Sequence, residues 1–168
     1  MYRMASGLQR AVKLAVVIIF ILILCSALLS FILPFFGWRI EIVLSGSMEP
    51  AIPTGSIVVS RPVAPENIRE GDIIMYSSIG GKTLTTHRVV KVETEHGVQF
   101  ITKGDANNGA DPNPVIPGQL AGQIVFHIPY LGYLIQFIKT PLGFAIALLI
   151  PAAVLIVSEV YSLWKAMD

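Results

Sequence analysis

The chain has 168 residues, of which 54% are hydrophobic and only 14% are charged. This composition is too apolar for an ordinary soluble domain and indicates membrane segments. The formal net charge of +1 argues against a nucleic-acid-binding surface, and the single cysteine, Cys25, excludes an internal disulfide.

The first membrane segment is Leu14–Phe36, an almost unbroken apolar stretch of 23 residues. As a helix it would be about 34 Å long, enough to cross the hydrocarbon core of a bilayer. Basic side chains in residues 1–13 favour a cytoplasmic N-terminus, and Trp38 suits the opposite interface. The apolar run is too long for a cleaved secretory signal, so we expect a permanent anchor.

A second apolar segment, residues 141–164, precedes a short C-terminal tail at 165–168. Pro151 interrupts it, which a membrane helix tolerates. Tyr161 and Trp164 resemble an interfacial aromatic belt. We expect a second transmembrane helix that returns the C-terminus to the cytoplasm; the alternative is a buried or interfacial amphipathic helix.

Residues 37–140 remain for one extracytoplasmic domain, a size that suits a single small core. Short runs rich in Val, Ile and Thr, separated by Gly, Pro and Asn, predict β-strands. These runs are residues 40–44, 56–60, 72–76, 83–92, 98–102 and 123–127. The predicted fold is mainly β: a small twisted sheet or barrel-like domain flanked by an N-terminal and a C-terminal transmembrane helix.

Three shorter segments have local interpretations. Residues 95–97, Glu-His-Gly, predict a hairpin turn, and residues 66–70 predict a single helical turn. Residues 130–137 are compatible with a last strand or with a membrane-surface segment that leads into the second helix.

Ser47 is the candidate nucleophile of the domain. It lies in Ser45-Gly46-Ser47-Met48-Glu49-Pro50, directly after a predicted strand. A sharp turn at the end of a rigid element places a small hydroxyl reproducibly, but the hydroxyl needs an adjacent base. Most tripeptides of this composition are plain turns, so the motif gains its meaning from a base elsewhere.

His87 is the candidate base, because it lies within a predicted strand that would fix the direction of its ring. The other two histidines, His96 and His127, are interpreted as structural or solvated. A Ser/Lys dyad is the nearest chemical rival, with lysines 82, 91 and 103 as its candidates. A metal site is ranked lower, because no ligand spacing supports one.

The candidate acids are Asp105 and Asp111, six residues apart in a polar stretch after a predicted strand. Either carboxylate could accept the second ring N–H of His87, which would fix the tautomer and stabilise the imidazolium. The structural alternative is an ordinary turn capped by Asp and Asn.

Three motifs follow one another along the chain: Ser45-Gly46-Ser47-Met48-Glu49-Pro50, Thr86-His87-Arg88-Val89-Val90 and Lys103-Gly104-Asp105-Ala106-Asn107-Asn108. In this order and spacing they resemble the motifs of type I signal peptidase. A histidine in the second motif, where the common bacterial enzymes carry lysine, places the resemblance with the archaeal and endoplasmic-reticulum type.

The resemblance implies a role for each matching position. Ser47 matches the nucleophile and His87 the general base. Asp111 matches the charge-relay acid and Asp105 a second acid needed nearby. Ser45 matches a hydroxyl that helps to form the oxyanion hole in the bacterial branch.

The implied function is a serine endopeptidase, without cofactor or metal, that cleaves signal peptides from secreted and membrane preproteins. The implied partners are signal peptides with small residues at the cleavage site and the lipid bilayer; the translocon and other signal peptidase subunits are further candidates, and nucleic acid is not. The expected location is the plasma membrane, or the endoplasmic reticulum membrane in a eukaryote. The alternatives are a non-catalytic, membrane-anchored peptide-binding subunit and a membrane-bound metal hydrolase.

Overall fold

The computed structural model describes residues 2–78, 83–95 and 97–167. The chain divides into two compact units. One comprises Met1–Ser30 and Ile135–Asp168, and the other comprises Phe31–Leu134. The predicted hairpin residue His96 and the candidate base Lys82 lie outside the described residues.

The first unit contains two long helices, α1 (Tyr2–Ile32) and α3 (Pro141–Met167). Leu14–Phe36 and Pro141–Tyr161 are long and apolar enough to cross a membrane. Among the described residues, helix α1 includes residues 2–13, the stretch that carries the basic side chains, as well as most of the apolar segment. Helix α3 contains Pro151 and continues to Met167, into the expected tail.

The second unit is a curled antiparallel sheet of six strands, with the order β1-β2-β6-β3-β4-β5. The strands are β1 (Arg39–Ile42), β2 (Ile57–Arg61), β3 (Ile73–Ser77), β4 (Leu84–Glu93), β5 (Gln99–Lys103) and β6 (Leu120–Ile128). The predicted mainly β fold with two flanking apolar helices is confirmed. Strand β6 joins the pair β1–β2 to the three consecutive strands β3–β4–β5, because it pairs with both β2 and β3.

Each predicted run coincides with a strand, and the largest difference is at β6, which begins three residues before the predicted 123–127. Gly122 sits inside this strand with φ of 155°, and an added Cβ would lie 2.6 Å from the Arg61 carbonyl oxygen. In a sequence, glycine often indicates a turn, but Gly122 instead allows two backbones to approach each other closely.

Residues 131–137 belong to helix α2 (Leu131–Lys139), so the alternative of a last strand is wrong. Leu131, Leu134, Ile135 and Ile138 recur at helical spacing, which explains the result. The helix starts against the sheet unit, where the Gly132 N–H donates to the Gly55 carbonyl at 2.8 Å. The single turn expected at 66–70 is a 3₁₀ turn at Pro65–Asn67.

Apolar side chains are buried on both faces of the central strand β3, since neighbouring residues of a strand point to opposite faces. Ile74 and Tyr76 belong to one buried cluster, together with Ile68, Val89, Phe100 and Val115. Met75 belongs to a second buried cluster, together with Met48, Ile52 and Val58. Met48 directly follows Ser47, so the turn that carries the candidate nucleophile is anchored in the core.

Candidate active site

Ser47 lies in a compact turn between β1 and β2. The Glu49 N–H donates to the Gly46 carbonyl at 3.0 Å, and the Glu49 carboxylate accepts bonds from the Thr54 hydroxyl at 2.7 Å and the Thr54 N–H at 3.2 Å. Met48 is 1% exposed and fixes the turn to the core. The turn therefore fixes the position of the Ser47 hydroxyl, because the turn is attached to the buried core.

His87 lies in the middle of β4, opposite Ile74 of β3, and is buried. Its Nε2 atom is 3.2 Å from the Ser47 hydroxyl oxygen. Its Nδ1 atom is 2.7 Å from Oδ2 of Asp111. The structure thus brings Ser47, His87 and Asp111 into one hydrogen-bonded chain, although they are far apart in sequence.

Asp111 follows β5 and is held to it by its N–H, which donates to the Thr102 carbonyl at 2.8 Å. Its Oδ2 atom also accepts bonds from the Tyr76 hydroxyl at 2.9 Å and the Thr102 hydroxyl at 2.5 Å. Burial acts to raise the pKa of Asp111. Bonds from Thr102, His87 and Tyr76 outweigh burial, and the pKa lies below its ordinary value.

Asp105 has a different partner. Its carboxylate accepts a bidentate pair of bonds from Arg88, at 2.9 Å from Nε and 2.7 Å from the second terminal nitrogen. Arg88 also donates to the Gly71 carbonyl at 2.8 Å. The bonds from Arg88 hold the pKa of Asp105 below its ordinary value. Of the two acids, the one in hydrogen-bond contact with His87 is Asp111.

The loop that begins at Gly104 touches the nucleophile turn directly. The Ala106 N–H donates to the Ser47 carbonyl at 2.9 Å, and the Asn107 N–H donates to the Gly104 carbonyl at the same distance. A Cβ at Gly104 would lie 2.6 Å from the Ser47 carbonyl oxygen. Only glycine allows the loop this close approach.

Ser47 and His87 line a cleft of about 630 Å³. Its walls include residues 41–45 and residues 83–87, and Asn107 also lines it. The Ser45 hydroxyl oxygen is 3.3 Å from the Ser47 hydroxyl oxygen, so the expected oxyanion donor lies beside the expected nucleophile.

The alternative bases occupy other places in the part of the chain that the structure describes. His127 lies in β6 opposite Val58, and it does not line the cleft. Lys91 is an exposed residue that donates to Glu93 at 2.8 Å. Lys103 pairs with Arg88 in the β5–β4 ladder and is likewise outside the cleft lining.

Sequence reasoning did not single out Tyr76 and Thr102. Successive side chains of a strand point to opposite faces of the sheet. Once β3, β4 and β5 are aligned, Tyr76, His87 and Thr102 therefore lie on the same face. The alignment itself was the missing information, because it depends on strand pairing and not on residue type.

Chemically, the arrangement can move a proton. An imidazole whose Nδ1–H is held by a carboxylate presents the lone pair of Nε2 to the neighbouring hydroxyl. Removal of the hydroxyl proton generates an alkoxide-like nucleophile next to a cleft large enough for a peptide. The adjacent Ser45 hydroxyl can donate to a negatively charged oxygen that develops there.

Comparisons with known proteins give several similar chains. Signal peptidase I W of Bacillus subtilis (strain 168) is 37% identical over 98 residues, which are 56% of this chain and 50% of that protein. The human signal peptidase complex catalytic subunit SEC11C is 35% identical over 102 residues, 55% of this chain and 53% of that subunit.

A longer match is the signal peptidase complex catalytic subunit SEC11 of Metarhizium acridum (strain CQMa 102). It is 33% identical over 152 residues, covering 77% of this chain and 84% of that subunit. No family model matches the chain. The chain spans about half the length of the Bacillus and human relatives and most of the length of the fungal one.

Proposed function

Because the chain belongs to the type I signal peptidases of the archaeal and endoplasmic-reticulum type, we propose that it is a membrane-anchored serine endopeptidase that cleaves N-terminal signal peptides from secreted and membrane preproteins. The observation that carries this proposal is the hydrogen-bonded chain from Ser47 through His87 to Asp111 at the wall of the cleft.

In the proposed reaction the Ser47 oxygen attacks the carbonyl carbon of the scissile peptide bond while Nε2 of His87 accepts its proton. The imidazolium that forms is stabilised by the ionised Asp111. His87 then gives the proton to the leaving amine, and an acyl-enzyme ester remains on Ser47. Water, deprotonated by the same imidazole, hydrolyses the ester and restores the serine.

Ser45 is the proposed side-chain donor to the oxyanion. A useful donor lies near the oxygen that becomes charged, not only near the ground-state carbonyl. The 3.3 Å separation between the two serine hydroxyl oxygens supports this assignment, because an oxyanion formed at Ser47 would lie within reach of Ser45.

The walls of the cleft support an extended peptide as substrate. Strand β1 is at an edge of the sheet, and among the described residues Leu84–His87 pair only with β3. Unpaired backbone groups on both walls can bond a peptide as an added strand. Met48, Val58 and Met75 supply apolar lining, which favours small apolar side chains near the scissile bond.

The proposed setting is the plasma membrane, or the endoplasmic reticulum membrane in a eukaryote, with the sheet unit on the extracytoplasmic side. The two apolar helices support anchoring, and the basic residues at the start of α1 support a cytoplasmic N-terminus. Proposed partners are preprotein signal peptides and the bilayer. The secretion translocon and further signal peptidase subunits are additional proposed partners.

A non-catalytic peptide-binding subunit is the competing proposal, and the site disfavours it. Such a subunit needs the cleft but has no use for an imidazole poised between a serine and an ionised acid. A histidine bonded to both a serine hydroxyl and an acid at the lining of a cleft is the arrangement that nucleophilic catalysis requires, and peptide binding alone does not require it.

The test is cleavage of a preprotein by the full chain in proteoliposomes. Ser47→Ala should abolish processing, whereas Thr94→Ala, which removes an exposed hydroxyl after β4 and outside the cleft, should process normally. Undiminished cleavage by Ser47→Ala would remove the serine-peptidase proposal. Peptide binding without cleavage by the unaltered chain would favour the subunit.

His87→Lys distinguishes the triad from a Ser/Lys dyad. Lysine is longer than histidine and is protonated at neutral pH unless it is strongly desolvated, so we expect nearly complete loss of cleavage. Activity close to that of the unaltered chain would show that the site accepts a lysine base.

A further inference from the structure

The carboxylate of Asp111 is held by side chains from three neighbouring strands. Tyr76 comes from β3, His87 from β4 and Thr102 from β5. Their donor atoms lie 2.9, 2.7 and 2.5 Å from the same carboxylate oxygen, Oδ2. Thr102 is fully buried and Tyr76 is 8% exposed, so both side chains are largely removed from water.

The hydrogen bonds at Oδ2 favour an ionised Asp111. Each hydroxyl has one proton to donate, and the short distance from Thr102 to Oδ2 favours donation there over donation to the Tyr76 oxygen at 3.4 Å. An ionised Asp111 that accepts both hydroxyl protons can accept a third bond at Oδ2 from the Nδ1–H tautomer of His87. The lone pair of Nε2 then faces Ser47.

We propose that Tyr76 and Thr102 are positioning residues for the reaction: their hydroxyls hold Asp111 in the one orientation that fixes the working tautomer of His87. This inference rests on the function proposed above. Neither residue lines the cleft. Thr102 acts on the base through the acid, and Tyr76 does so chiefly through the acid, because its hydroxyl is 2.9 Å from Oδ2 of Asp111 and 3.4 Å from Nδ1 of His87.

The alternative is a purely structural role in the core, and the composition of the site argues against it. Tyr76 packs in an apolar cluster with Ile74, Val89, Phe100 and Val115, where phenylalanine would fill the same volume. Likewise valine would match the shape of Thr102. Burying two hydroxyls at these positions is disfavoured unless they have partners, and their shared partner is Asp111.

Electrostatics supports the same assignment. Burial raises the pKa of Tyr76 to about 12, so the phenol keeps its proton and remains a donor throughout the working pH range. Burial also acts to raise the pKa of Asp111, but the bonds from Thr102, His87 and Tyr76 bring it below its ordinary value. Tyr76 on β3 and His87 on β4 are the titratable groups that face this carboxylate; β5 contributes the neutral Thr102.

The first experiment compares Tyr76→Phe with the unaltered chain in the preprotein assay. We expect kcat to fall about tenfold, the loss associated with one hydrogen bond to a charged group, while KM is unchanged. We also expect the acidic limb of the pH–rate profile to move to higher pH, because Asp111 loses a bond that favours its charged form. Tyr130→Phe, which removes an exposed phenol, is the matched control.

The same comparison applies to Thr102. Thr102→Val keeps the shape and removes the hydroxyl, and it should lower kcat like Tyr76→Phe. Thr102→Ser restores the hydroxyl without the methyl group, and it should recover most of the lost kcat. A purely structural residue would show the opposite order, because valine preserves packing better than serine.

A double-mutant cycle separates positioning from packing without depending on the absolute activity. In an Asp111→Asn background, Tyr76→Phe should cause little further loss of kcat, since its hydroxyl has no carboxylate to hold. An equal loss in both backgrounds would overturn the inference. So would unchanged kcat and pH profile for Tyr76→Phe while Ser47→Ala is inactive; an active Ser47→Ala would instead overturn the proposed function.

Discussion

Asp105 and Asp111 lie six residues apart in one loop, and both have a pKa below the ordinary value, but for different reasons. Asp105 is paired with the permanent cation of Arg88. Asp111 is bonded to two neutral hydroxyls and an imidazole, which together overcome the effect of burial. A carboxylate already neutralised by guanidinium has little charge left to stabilise a new cation, whereas Asp111 is available when His87 becomes protonated.

The largest expected effect comes from a substitution of Asp111, the acid that contacts His87. Asp111→Asn keeps the size of the side chain but removes its charge and permits the wrong tautomer of His87. We expect kcat to fall by about 10⁴-fold, by analogy with the same change in a serine-protease triad. Initial rates of preprotein cleavage measure the loss, and a decrease of less than about tenfold would contradict the charge-relay assignment.

The second prediction concerns the contact between the acid loop and the nucleophile turn. Gly104→Ala would place a Cβ 2.6 Å from the Ser47 carbonyl oxygen and 2.8 Å from the side-chain amide nitrogen of Asn107. The Ser47 carbonyl is a backbone group, so it cannot give way without moving Ser47. A displacement of Ser47 by about 1 Å costs roughly 10²-fold in rate. We therefore expect a loss of that order in kcat/KM.

Gly109→Ala is the matched control for Gly104→Ala. It lies in the same loop, and a Cβ there would meet no atom within 4 Å. We expect it to have the activity of the unaltered chain. Equal activity of the two variants would show that the close approach at Gly104 does not position the serine.

The third prediction concerns Asp105, the acid that is bonded to Arg88. Asp105→Asn should lower kcat/KM by at most about tenfold, because Asp105 is bonded to Arg88 and contacts neither Ser47 nor His87 by a hydrogen bond. The free energy of unfolding should fall by about 1 kcal/mol, a small value because Arg88 is one-third exposed. Chemical unfolding of the detergent-solubilised full chain measures it; a loss of cleavage as large as that of Asp111→Asn would remove the distinction between the two acids.

The fourth and smallest effect is the pH dependence of that stability difference. Arg88 lowers the pKa of folded Asp105, while the unfolded chain has the ordinary value of about 3.9. The folded state therefore binds fewer protons, and the stabilisation is fully present above about pH 5 and is lost as pH falls through the folded pKa. The gap between the unaltered chain and Asp105→Asn should narrow only in acid. A gap that narrows as pH rises would have the wrong sign.

The strands were predictable from sequence, because Val, Ile and Thr runs between glycines and prolines are a local signal. The helix at Leu131–Lys139 was left open, since its spacing fits a helix while its aromatic and aliphatic composition also fits a strand.

Without the resemblance, which implied Asp111, the acid that contacts His87 was not predictable from the residues, because two non-local backbone bonds decide it. The Ala106 N–H reaches the Ser47 carbonyl, and the Asp111 N–H reaches the Thr102 carbonyl. Together these bonds fold the loop so that Asp105 meets Arg88 and Asp111 meets His87. Neither bond could be recognised from the residue types in the sequence. The contributions of Tyr76 and Thr102 were also missed, because they depend on how the strands pair.

The most direct measurement compares preprotein cleavage for Ser47→Ala, His87→Ala and Asp111→Ala, singly and together, in the same proteoliposomes. If the three side chains act as one unit, Ser47→Ala alone should cost about as much in kcat/KM as the triple variant, because the others assist only that serine. If the loss of kcat/KM in the triple variant equals the product of the three single losses, the three side chains act independently. Substantial cleavage by Ser47→Ala would show that another group attacks the substrate.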